Sequence, residues 1–85
     1  MTLDLEEEAL DLAKIRYQCR RGMLELDLVL SRFLDKGFNT LTKEEQLNFA
    51  TLLDFPDQDL YEFLMGRASP EPLSLQLIIH KLRSI

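Results

Sequence analysis

The densest set of functional groups in the chain is Arg20-Arg21-Gly22-Met23-Leu24-Glu25-Leu26-Asp27. It joins two guanidinium groups, a glycine and two carboxylates. An arginine fork pairs bidentately with a carboxylate or phosphate, and such pairs orient a partner. The missing side chain at Gly22 lets another backbone come close. This is the chemistry of recognition. Asp57 and Asp59 form a second, smaller group, suited to capping a helix and available to a partner surface.

Bond-making chemistry has little to work with. The sole histidine, His80, lies beside Lys81 and Arg83 and reads as a surface residue in a cationic last turn. One histidine without a cysteine or carboxylate cluster does not furnish a four-ligand metal site. No Ser-His-Asp set can be drawn, and the three glycines are isolated, so there is no phosphate loop. Cys19 falls on an apolar stripe and reads as a small buried hydrophobe. The expectation is a protein that is not an enzyme.

The whole chain has 85 residues, 29% of them charged, with net charge −5. That length suits one small domain over residues 1–85. The acidic balance argues against nucleic-acid binding, which needs a basic face. No apolar run approaches the ~20 residues needed to span a bilayer, so direct membrane insertion is not expected. The acidic N-terminal stretch is neither a secretory signal nor an Arg-rich transit peptide. A single cysteine fits a reducing compartment, and bacterial cytoplasm is the simplest reading, with a mature organellar protein whose presequence has been removed as the alternative.

Helical spacing dominates, with no sustained two-residue alternation. The spacing predicts an all-α, five-helix bundle. The first helix is expected from about Leu3 to Arg20, with Leu5, Ala9, Leu12, Ile15 and Cys19 on one stripe and Gly22 as a left-handed stop. The second runs from about Met23 to Lys36. Met23, Leu26, Leu30, Phe33 and Leu34 face inward there, and Leu24, Leu28 and Val29 widen the stripe. Thr42-Lys43-Glu44-Glu45 is a capping box that starts the third helix, which carries Leu47, Phe49, Ala50, Leu52 and Leu53. Pro56 ends it, and Asp57 is expected to N-cap the fourth, with Leu60, Tyr61, Phe63, Leu64 and Met65 inside and Gly66 as the stop. The fifth is expected over Leu73 to Arg83, facing the core through Leu75, Ile78, Ile79 and Leu82.

On this plan the Arg-Gly group sits where the first two helices meet. A purely structural reading is available: Gly22 caps, the arginines complement the helix dipole, and Glu25 pairs with Arg21 four residues earlier. That reading would accept almost any charges at these positions. It does not ask for this string.

The string Cys19-Arg20-Arg21-Gly22-Met23-Leu24-Glu25-Leu26-Asp27 resembles the signature of the SdhE (YgfY) family of bacterial flavinylation factors, related to a mitochondrial succinate dehydrogenase assembly factor. Asp57-Gln58-Asp59-Leu60-Tyr61-Glu62-Phe63-Leu64 is similar to a second motif of that family, D-x-D-L-x-x-aromatic-L. The resemblance spans about Lys14 to Leu82. It implies an assembly factor that binds the flavoprotein subunit of succinate dehydrogenase, and also of fumarate reductase. It would promote covalent attachment of FAD to that partner's histidine while holding no tightly bound cofactor of its own. The residues it implicates in partner binding are Arg21, Gly22 and Glu25, flanked by Arg20, Met23 and Asp27, with Asp57 and Asp59 beside them. A monomer is the favoured state. The chain departs from the family pattern at Tyr17, where a tryptophan is expected. The alternative is an antitoxin-like regulatory binding protein acting on cell-division or cytoskeletal proteins, as some family members have been described.

Overall fold

The computed structural model describes residues 11–84, and within them all regular structure is helical. Helix α1 is Leu12–Gln18, α2 Leu24–Lys36, α3 Lys43–Leu52, α4 Asp57–Leu64 and α5 Leu73–Arg83, with a 3-10 turn at Phe38–Thr40 between α2 and α3. The expected start of the first helix, with Leu5 and Ala9, lies outside the described residues.

Local chemistry accounts for most of the boundaries. Asp11 caps α1 by accepting from the Lys14 N–H at 3.1 Å. Helix α3 opens on a complete capping box: the Glu45 N–H donates to Thr42 Oγ1 at 3.1 Å and the Thr42 N–H to Glu45 Oε1 at 2.9 Å. The backbone hydrogen bond from Thr42 is the main cause that lowers the Glu45 pKa. Gly66, at φ +79°, closes α4 in a Schellman turn. There the Gly66 N–H reaches Phe63 O at 3.1 Å and the Arg67 N–H reaches Glu62 O at 2.9 Å. Helix α5 spans the range expected of it.

Helix α5 packs on α2, α3 and α4, and its contact with α3 is the most extensive between helices. Its face of Leu75, Ile78, Ile79 and Leu82 is buried, as expected. The core joins that face to Leu26, Leu30, Phe33 and Leu34 of α2, Phe49, Leu52 and Leu53 at α3, and Leu60 and Phe63 of α4. Phe49 is its aromatic centre, 5.2 Å from the Phe33 ring and 5.6 Å from that of Phe38. Ile15 and Cys19 attach α1 to this cluster.

Several expectations change. Leu12, Leu47 and Met65 are exposed, as are Leu24 (69%) and Leu28 (53%) on α2. Two residues along a helix are a 200° turn, so Leu24 and Leu28 point away from the Leu26–Leu30 face, and one helix cannot bury both sides against neighbours on one side. Helix α1 stops at Gln18 with Cys19 as a right-handed cap, so Gly22 is not that helix's cap residue. It sits in the link that follows. Asp57 is the first residue of α4, and the cap position belongs to Pro56.

Candidate functional site

The link from Cys19 to Met23 is shaped by its neighbours at both ends. Cys19 is anchored in the core at 1% exposure, and burial pushes its thiol up from 9.0 to about 11. It is therefore neutral and inert near pH 7. Met23, half-buried against the core, is the N-cap residue of α2 and brings no side-chain cap. Between them, Gly22 takes φ +82° and is exposed. A Cβ built on Gly22 would meet no atom within 4 Å. The glycine is thus needed for the sign of φ and not for internal space.

Arg21 turns away from Glu25. Its side chain is only 12% exposed and runs into the junction of α1, α3 and α4. Nε donates to Asp57 Oδ1 at 2.7 Å. Nη1 donates to Gln18 O at 3.0 Å and Leu53 O at 2.8 Å, and Nη2 to Phe55 O at 2.5 Å. Those carbonyls are the free carboxyl ends of α1 and α3 and of the turn after α3, which carry partial negative charge and lack helical donors. The backbone N–H of Arg21 donates to Asp27 Oδ1 at 2.6 Å, so the first turn of α2 grips the link as well. Phe55 ties this polar junction to the core, its ring 5.3 Å from Phe63 in an edge-on arrangement.

The two acidic and basic motifs therefore meet in space. Arg21, Asp27 and Asp57 are joined in one bonded cluster, with Gly22 and Met23 on the same link. Glu25 follows in the first turn of α2 and Asp59 in the first turn of α4, both exposed. Arg20 is exposed as well. Among the described residues, neither Arg20 nor Glu25 is in an ion pair. The expected Arg21–Glu25 pair is replaced by Arg21–Asp57. Spacing along one helix finds partners four residues away, whereas this one is 36 residues away. The residues reading missed are the carbonyl acceptors at Gln18, Leu53 and Phe55, which leave no trace in residue type.

The surface that results bears opposite charges, from Arg20 and Glu25, around a bare backbone at Gly22. Leu24 and Leu28 add apolar area beside Glu25 on α2. Such a surface can dock a protein by paired charges and close backbone approach. His80 is exposed on α5, away from the link in sequence, and no three metal-ligating side chains cluster among the described residues. No helix among them is long and apolar enough to cross a membrane.

The comparisons with known proteins agree with one another. Residues 13–85 match the family model Sdh5, described as the flavinator of succinate dehydrogenase. A Coxiella burnetii protein named FAD assembly factor SdhE is 47% identical over 78 residues, covering 92% of this chain and 95% of that one. A Vibrio cholerae protein of the same name is 43% identical over 70 residues, 82% of this chain and 81% of the relative. One from Legionella pneumophila is 41% identical over 66 residues, 78% and 84% of the two chains.

Proposed function

The chain belongs to the family of succinate dehydrogenase flavinators, and from that premise we propose that it is an FAD assembly factor for the flavoprotein subunit of succinate dehydrogenase. It binds that subunit and promotes covalent attachment of FAD to one of the subunit's histidines. The attacking nitrogen and the 8α carbon of the flavin both belong to the partner. This chain supplies no acid or base and holds no FAD of its own. It acts by keeping the partner's histidine and flavin in reacting geometry, and positioning of that kind is worth many orders of magnitude in rate. Fumarate reductase is a second client. The chain acts as a monomer in the bacterial cytoplasm.

The observation that carries this reading is the convergence of both motifs on one junction, through the 2.7 Å pair of Arg21 and Asp57. Docking falls to the exposed groups around it, Arg20, Gly22, Glu25 and Asp59, with Met23 and Asp27 shaping the start of α2. An antitoxin-like role needs a filament-forming partner, and no residue of the junction favours one.

The test is the fluorescence of covalently bound flavin in the succinate dehydrogenase flavoprotein after denaturing electrophoresis. A strain lacking this gene should show a faint band, restored by the wild-type chain and not by Glu25→Ala. An equally bright band in the deletion strain refutes the proposal.

A further inference from the structure

We propose that Arg21 is a positioning residue, a latch that sets the shape of the Cys19–Met23 link so that Gly22 and Glu25 meet the flavoprotein in one arrangement, and that it does not touch the flavoprotein itself. The proposal rests on the docking reading above.

A guanidinium has five N–H donors, and bidentate capture of a partner's carboxylate takes two parallel ones. In Arg21 every nitrogen is already committed: Nε to Asp57, Nη1 to Gln18 and Leu53, Nη2 to Phe55. Four donors are bound, leaving a single N–H and no free fork. At 12% exposure the group also lacks the open face that a partner would need. Extracting it to meet a partner would strip three carbonyls and a carboxylate at once, in a junction where their replacement by water is restricted. Arg20, the preceding residue, is exposed and makes no ion pair among the described residues, so it is the arginine able to reach outward.

What the latch controls is equally specific. The side chain fixes Arg21 to α1, α3 and α4, and the Asp27 carboxylate fixes its backbone N–H to α2. The following residue is Gly22 at φ +82°, a conformation that glycine leaves as readily as it adopts. Without the latch, the glycine link samples other shapes. The direction in which α2 presents Glu25 relative to Gly22 then varies.

The mechanism has a kinetic signature. Loss of a direct contact shortens the life of the complex and raises the dissociation rate. Loss of preorganisation lowers the fraction of molecules competent to bind, which lowers the apparent association rate and leaves dissociation near its original value. The experiment is surface-immobilised kinetics of the full chain binding the purified flavoprotein subunit of succinate dehydrogenase. Arg21→Lys keeps the charge and loses the fork. It should lower the association rate about tenfold with dissociation within about twofold of wild type, the arithmetic of a tenfold smaller competent fraction. Glu25→Ala should do the reverse.

Should Arg21→Lys fail to fold, Asp27→Ala serves in its place, since it frees the Arg21 N–H and leaves the guanidinium bonds intact. A folded Asp27→Ala should also lose association rate by several-fold. An Arg21→Lys protein whose dissociation rises as much as that of Glu25→Ala would overturn the latch and make Arg21 a contact. Wild-type rates in both Arg21→Lys and Asp27→Ala would overturn it too. If the wild-type chain itself does not bind the flavoprotein, the docking reading falls and takes this one with it. Those outcomes are distinguishable by inspection of the wild-type trace alone.

Discussion

Replacement of Gly22 separates the backbone's need for a positive φ from the partner's need for open space. Its φ of +82° costs an L-residue about 1–2 kcal/mol. No atom lies within 4 Å of an added Cβ, so no steric penalty is added. Removing a glycine also narrows the unfolded ensemble, which returns about 0.4–1 kcal/mol. The net loss for Gly22→Ala is therefore about 1 kcal/mol, a fall of about 4–8 °C in melting temperature for a domain of this size. Gly22→Asn should lose less, since Asn tolerates the left-handed region. Gly22→Arg carries the same backbone cost as Ala, because the φ is the same and the added Cβ meets nothing within 4 Å. Its melt should match that of Gly22→Ala. Its capture of the flavoprotein should not, since a long cation then stands where the partner backbone must approach. The assay is a set of thermal melts by circular dichroism for the three variants, each paired with pull-down of the flavoprotein and with the covalent-flavin gel. Normal flavinylation by Gly22→Arg would refute the docking surface. A loss of stability several times larger than 1 kcal/mol in Gly22→Ala would refute the claim that only the sign of φ is at stake.

Two further outcomes are expected. Glu25→Ala should melt close to wild type and lose most flavoprotein capture, whereas Glu44→Ala, another exposed carboxylate in the first turn of a helix, should keep it; equal pull-down by both would return Glu25 to an ordinary surface role. Cys19 should resist alkylation in the native protein at pH 7. Its thiol is held up at about 11 by burial, while the unfolded chain loses that proton near 9.0, so stability should be full below pH 9 and fall as pH rises toward 11. The matching Cys19→Ala protein should lack that alkaline loss, and an unchanged alkaline profile would show that burial of the thiol is not its source.

Signals confined to one or two turns of helix were legible in the sequence. The Thr42–Glu45 capping box, the Gly66 stop and the four-residue inner face of α5 all depend on neighbours within a few positions, and all are present. Reading α2 as buried through Leu24 and Leu28 counted apolar residues without their directions. Leu26 and Leu30 had already claimed the inner face, and what remained over was surface beside Glu25. The junction shows the same limit from the other side. Arg21 looked free to pair with Glu25 because both lie on one short segment, and nothing local says that the fork will be satisfied by carbonyls at two helix ends and in the turn after α3. Asp57 looked like an N-cap because it follows Pro56. In the fold its carboxylate faces Arg21, and α4 begins without a side-chain cap. The motif resemblance named Arg21 and Asp57 as separate recognition residues. Their 2.7 Å contact gives them a shared structural reason to occur together, and it leaves Arg20 and Glu25 unexplained by folding and Gly22 explained only as to the sign of its φ. Gly22 is bound by its φ but not by space, and Arg20 and Glu25 make no ion pair among the described residues. Those three are the positions at which a substitution should silence the protein while leaving it folded.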